Sequence, residues 1–139
     1  MAGQKTLPHD GSVDAYLAGI EPERRRRDAV EAVALARETT GAEPVMWGPS
    51  IVGFGSYHSR SASGHEGDAP RVGLSGRKTA LTFYGLQDHP EAGPLLVRLG
   101  PHTLGTGCVY VKDLGRLDRE VLVELLRLAW ASERTGEQG

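Results

Sequence analysis

The chain has 139 residues, 39% of them apolar and 24% charged, which suits one domain with its own hydrophobic core and leaves too little for several. Its 16 Lys and Arg against 18 Asp and Glu leave a net charge of −2, a balance that argues against a dedicated nucleic-acid or acidic-membrane binder. No run of 18 residues is free of charge, the polar start Met1-Ala2-Gly3-Gln4-Lys5 has no apolar stretch, and Cys108 is a lone cysteine, so neither a membrane span nor a signal peptide is expected and the expected home is the reducing cytoplasm.

Residues 1–9 are expected to form a flexible arm, 10–131 a single α+β domain, and 132–139 a frayed tail. Asp10 or Ser12 suits the cap of a short helix whose apolar positions Val13, Tyr16, Leu17 and Ile20 follow helical spacing. A second helix follows, with Pro22 in its first turn, Glu21 and Glu23 at the positive end of its dipole, and Gly41 as its stop. From Pro44 the period changes. Val45–Trp47, Ile51–Phe54, Val72–Leu74 and Ala80–Tyr84 are short apolar runs punctuated by glycine and predict strands, with Gly48-Pro49-Ser50 as the turn between the first two. Residues 56–70 form the longest polar loop. A short helix is predicted between Asp88 and Leu99, a last strand at Cys108–Val111, and a final helix capped by Asp118 with a stripe of Val121, Leu122, Leu125, Leu126 and Ala129. Helices at both ends around consecutive strands predict an α+β fold, an antiparallel sheet of about five strands packed by two N-terminal helices and a C-terminal helix. No GxGxxG or P-loop phosphate cradle is present, since Gly53-Phe54-Gly55 has no third glycine.

Three groups of residues carry possible chemistry. Within the polar loop, His58, His65, Glu66 and Asp68 supply imidazole nitrogens and carboxylate oxygens of the kind that iron(II), manganese(II) and zinc(II) accept, and Gly64 and Gly67 allow the backbone to bring them together. The competing reading is a polar turn in which Ser63 and Asp68 cap backbone donors. Arg77 and Lys78 follow the Ser75-Gly76 turn and form a candidate anion seat, with Trp47, Tyr57 and Ser63 as further ligand-binding candidates and Arg71 and Lys112 as added charge; the competing reading is ordinary solubilising charge at strand ends. The run Arg24–Arg27 distributes around a helix, where Arg24 can pair with Asp28 and Arg27 with Glu31, while Arg26 and Arg37 share the side of Val30 and Val33. Cys108 lies in an apolar strand with no adjacent base, and no nucleophile, base and oxyanion donor assemble from local spacing, so binding rather than catalysis is expected.

Several of these residues, taken in order, resemble a known pattern: Met46-Trp47-Gly48, Ile51-Val52-Gly53-Phe54-Gly55 leading to Tyr57, Ser63-Gly64, Glu66-Gly67-Asp68, Arg77-Lys78, Leu99-Gly100 and Cys108-x-Tyr110. This string is similar to the YdhG-like proteins of domain-of-unknown-function family 1801, some of which are described as frataxin-like bacterial iron chaperones. The resemblance spans about Val13 to Leu126 and implies a YdhG-like, frataxin-like two-layer sandwich, iron(II) as a possible cofactor or cargo, and iron–sulfur assembly proteins as possible partners. It implies no catalytic residues. The chain departs from the family at Ser59 and Ser61, where relatives carry aromatics, and at Pro101 and Thr106, where they carry lysines. Residues 21–40 hold Glu21, Glu23, Asp28, Glu31 and Glu38 against Arg24 to Arg27 and Arg37, so the acidic ridge of frataxins is neutralised here.

The leading expectation is therefore a small binding protein that handles iron(II) through the polar loop. The alternatives are an anion- or small-molecule-binding module with a pocket at the sheet edge, and a subunit that dimerises through a helix face bearing Leu128 and Trp130. Both sites are expected to share one recess at the rim of the sheet.

Overall fold

The computed structural model describes residues 7–60, 66–87 and 89–131 and, of residues 59, 60, 66 and 67, the backbone alone. Chain order is β1 (Pro8–His9), α1 (Val13–Ala18), α2 (Glu23–Thr40), β2 (Val45–Trp47), β3 (Ile51–Phe54), β4 (Tyr57–Arg60), β5 (Glu66–Ala69), β6 (Val72–Gly76), β7 (Leu81–Tyr84), α3 (Ala92–Leu99), β8 (Thr103–Gly105), β9 (Cys108–Val111), a 3-10 turn at Leu114–Arg116 and α4 (Arg119–Ala131).

The helix ends follow local chemistry. Ser12 Oγ accepts from Ala15 N at 3.0 Å and starts α1. Gly41 stops α2 in the left-handed region, φ 75°, and its N–H closes on Arg37 O at 2.8 Å. Asp118 Oδ1 accepts from Glu120 N and Val121 N at the start of α4. Beyond their caps, these helices stand on their apolar stripes. α2 buries Ala29, Ala32, Val33, Leu35 and Ala36, and its small alanines let the backbone sit close to β3, β6 and β7; α4 lies beside it and buries Val121, Leu122, Leu125, Leu126 and Ala129, each buried leucine contributing about 1.5–3 kcal/mol.

Under the helices lies an antiparallel sheet in the order β1-β2-β3-β6-β7-β9-β8. Strand alternation sorts its residues by face. Met46, Val52, Phe54, Val72, Leu74, Leu81, Phe83, Val109 and Val111 point to the helices and join one apolar core. Trp47, Gly53, Gly73, Ser75, Thr82, Tyr84, Cys108 and Tyr110 fall on the opposite, outward face. There the Trp47 ring lies on Gly53 so closely that a Cβ would collide with it, and Pro70 covers both Gly53 and Gly73. Side-chain-free positions are what allow this half of the outward face to be flat and filled.

The α+β class and the antiparallel sheet agree with expectation, but among the described residues the sheet has seven strands rather than about five, and there are four α-helices. The extra strands are β1 and β8, of two and three residues, which contain Pro8 and Gly105 and lack the apolar run by which strands are recognised. The region expected as a polar loop carries a separate two-stranded hairpin, β4 with β5, continuing beyond the ends of β3 and β6.

Arginine pairing along α2 also differs from the spacing argument. Asp28 Oδ2 accepts from Leu114 N at 3.0 Å, and Glu31 pairs with Arg119 at 2.8 Å, so neither serves the neighbouring arginines. Val30 is exposed, Arg37 reaches Glu43 at 2.9 Å, and Arg26 donates to Ile20 O at 3.2 Å. The arginine that faces inward is Arg25, 7% exposed, which donates from Nε to Arg77 O at 3.0 Å and from Nη1 to Lys112 O at 2.8 Å. One guanidinium thus ties the end of β6 to the end of β9.

Candidate functional site

The outward face divides into two halves. Trp47, Ile51 and Pro70 fill the half over β2, β3 and β6, and Trp47 is 2% exposed, which makes it a packing residue there. The half over β7, β9 and β8 carries hydroxyls and cations. Cross-strand register places Gly73, Tyr84, Cys108 and Gly105 in one row and Ser75, Thr82, Tyr110 and Thr103 in the next. Tyr110 leans over Gly105, where a Cβ would lie 2.8 Å from its hydroxyl, so glycine at this position gives the ring its place. Arg77 reaches along the strands to Tyr84 Oη, a long contact of 3.4 Å. That hydrogen bond raises an already high guanidinium pKa, so Arg77 is a fixed cation. Hydrogen bonding to the Cys108 thiol holds the Tyr110 phenol above its ordinary value, which keeps it a neutral donor.

Beside Tyr110, at the corner where β7 begins and β9 ends, lies an open groove of about 620 Å³ lined by Thr79, Ala80, Pro101, His102, Thr103, Tyr110, Lys112, Asp113 and Arg116. Its size falls within the usual range for small-molecule sites, roughly 300–1,000 Å³. The strand ends that shape it are fixed by Arg25, and Arg24 adds a second contact to Lys112 O at 3.2 Å. Asp113, its one carboxylate, turns Oδ1 to Gly115 N at 3.0 Å. His102 directs Nδ1 at Gly100 O, 2.7 Å away, which places the proton on Nδ1 and leaves Nε2 as the acceptor in the neutral ring. Among the described residues Lys112 and Arg116 have no carboxylate within ion-pair distance.

The residues singled out in the sequence do not gather in one place. Arg77 sits next to the groove, but Lys78 turns away and shares a shallow depression with Glu21, Pro22, Glu23 and Arg26. Tyr57 is half-buried on β4, and Arg71, expected as added charge for the anion seat, donates instead to Trp130 O at 3.2 Å. His58 and Asp68 face each other across the β4–β5 hairpin with Nδ1 and Oδ1 2.9 Å apart. Ser63 and His65 lie outside the described residues, as does the side chain of Glu66. Among the described residues no group of three or more His, Cys, Asp or Glu is arranged to hold a metal ion. The hairpin leaves the sheet at the Phe54–Val72 end, whereas Arg77 and Lys78 lie past Gly76 at the other end of β6. Five residues of strand, roughly 17 Å, separate them, so among the described residues the single shared recess expected from sequence does not form. Trp130, expected on a docking face, is half-buried and packs against Gly55.

His102, Thr103, Tyr110 and Arg116 are not among the ligand-binding residues expected from the sequence. Their signal was indirect: Lys112 and Tyr110 alternate outward from the inward-facing Val109 and Val111, and Thr103 comes opposite Tyr110 only once β8 is recognised as a strand. No helix among the described residues is long and apolar enough to cross a membrane. No protein-family model matches the chain, and neither the curated proteins nor the solved structures offer a match to it.

Proposed function

We propose that the protein is a small-molecule-binding module whose ligand is anionic and lies in the groove beside Tyr110. The observation that carries this reading is a concave, largely apolar site of about 620 Å³ with two cations, Lys112 and Arg116, that have no carboxylate partner among the described residues. An apolar lining supplies affinity and the charged pair supplies orientation. A panel of small carboxylates, sulfonates and phosphate esters tests it by thermal shift and calorimetry, because a ligand at one hundred times its Kd stabilises the fold by about 2.7 kcal/mol. The expected result is at least one stabilising anion whose effect disappears in Lys112→Ala/Arg116→Ala. Stabilisation that survives in that variant places the ligand elsewhere and removes the groove from the account.

A second reading keeps iron(II) as cargo, in line with the YdhG-like resemblance, and is favoured by the His58–Asp68 pair. A carboxylate on Nδ1 orients the imidazole so that Nε2 faces outward as a metal ligand; in this reading Asp68 positions the His58 ring, and Glu66 and His65 are the further donors proposed. Anaerobic iron(II) titration is expected to show saturable binding that falls in Glu66→Ala/Asp68→Ala. Binding unchanged by that double substitution excludes the hairpin.

A further inference from the structure

The most unusual atoms in the molecule are two hydroxyls. Ser75 Oγ and Thr82 Oγ1 belong to residues 1% exposed, sit opposite each other on β6 and β7, and have no hydrogen-bond partner among the described residues. A buried donor left unmade costs free energy, and alanine and valine would fill these positions without that cost. Neither hydroxyl points into the core, because strand alternation turns both to the outward face between Tyr84 and Ala80. The Arg77–Tyr84 hydrogen bond passes over them, since Tyr84 lies one row to one side and Arg77 one row to the other.

The next row completes the setting. Arg77 N donates to Ala80 O at 3.0 Å, and continuing the β7–β9 register one step beyond Leu81 and Val111 sets Ala80 beside Lys112. Arg77 and Lys112 therefore flank a small alanine, with about 10 Å between their Cα atoms at two strand spacings. Arg25, bonded to the backbone oxygens of both, fixes that separation from behind. Across these three rows every side chain able to hydrogen-bond is a donor: guanidinium, ammonium, hydroxyl or thiol. None is a carboxylate.

We infer that Arg77, Lys112, Ser75 and Thr82 form the seat for the phosphate of a phosphate monoester, whose organic part extends past Tyr110 into the groove. The inference rests on the anion-binding reading above and names its ligand class. Two cations match the two charges of a monoester dianion. A carboxylate is satisfied by one guanidinium in bidentate fashion, whereas three terminal oxygens take donors arriving from both flanks and from below. In the bound state Arg77 exchanges its long contact with Tyr84 for the phosphate, and this uncovers the two hydroxyls, which then donate to oxygen. Tyr110, which lines the groove, offers a ring face and a hydroxyl to the organic part.

Phenyl phosphate, with benzoate and benzenesulfonate as controls, tests this by calorimetry and phosphorus NMR. Wild type is expected to bind phenyl phosphate in preference to both controls. Thr82→Val and Ser75→Ala, singly and together, are expected to keep or raise the melting temperature, each single variant to weaken phenyl phosphate about tenfold and the double variant about a hundredfold, the loss for one and for two hydrogen bonds to a charged group. Arg77→Gln is expected to weaken it by more than either single hydroxyl variant. Equal phenyl phosphate affinity in wild type and in the folded single and double hydroxyl variants overturns the seat, and if Lys112→Ala/Arg116→Ala still abolishes that binding the groove reading stands. Wild type that binds benzoate but not phenyl phosphate also overturns the seat and leaves the groove reading intact. Failure of all three probes to bind sinks the seat.

Discussion

The two faces of the seven-stranded sheet are built from the same strands, residue by alternate residue, yet they obey different rules. Toward the helices stand Val, Leu, Ile-sized and aromatic side chains such as Val52, Phe54, Leu74 and Phe83, each fully buried and each replaceable by another of similar volume. Away from the helices stand glycines, hydroxyls, a thiol and tyrosines, with two buried hydroxyls that nothing in the fold requires. The inward face is explained by burial alone. The outward face over β7, β9 and β8 is not: it holds a surplus of polar donors where a stable sheet would do without them, and the proposed anion seat is the reading that uses them.

Substitutions on the two faces should therefore differ in size and in kind. The largest effect is expected from Phe83→Ala, which removes a ring at the centre of the core and should lower the unfolding free energy by about 3–5 kcal/mol in denaturant titration. A loss below about 1 kcal/mol would show that the inward face is not the tightly packed one. Arg25→Met comes next, because it strips the backbone oxygens of residues 77 and 112 of a charged donor while keeping a comparable apolar stem; a loss of about 2–3 kcal/mol is expected, together with weaker anion binding. Unaltered binding in that variant would separate the groove from its support. The smallest effect is spectroscopic. The neutral Tyr110 phenol is favoured in the folded chain, so its contribution is complete below the ordinary tyrosine value of about 10 and is lost as pH rises from there through the raised value. Phenol absorbance, differenced against Tyr110→Phe, should report late ionisation of Tyr110, and Cys108→Ala should bring it back toward the ordinary range. Identical curves with and without the thiol would remove Cys108 as the cause.

How much of this could be read from residues alone depended on how local the signal was. Caps are local: Ser12, Gly41 and Asp118 ended or began helices where their side chains and backbone freedom said they would. Long apolar runs are local too, and they located β2, β3, β6, β7 and β9. β1 and β8 were hidden because their pairing is supplied by neighbours rather than by their own propensity. Arg25 was legible in principle, since positions 25, 29, 32 and 36 recur at helical spacing and the last three are alanines on the buried stripe; an arginine on that stripe has to find backbone acceptors. The candidate site was less so. Arg77 and Lys112 are 35 positions apart, and nothing in either neighbourhood announces that β7 will set one small alanine between them. The polar loop misled for the converse reason: sequence proximity of His58, Glu66 and Asp68 to the Arg77 turn became distance once β6 ran straight between them.

The β4–β5 hairpin also has a bearing on how this protein can be engineered. Val52, Gly53 and Phe54 pair directly with Leu74, Gly73 and Val72, while Tyr57 to Arg60 pair with Glu66 to Ala69 in a separate ladder. The projection is thus an appendage on a junction that is already closed at its base. A shortened chain joining Gly55 to Pro70 through a tight turn would keep every rung of the main ladder, and would leave the groove at the far corner to be studied without the projection.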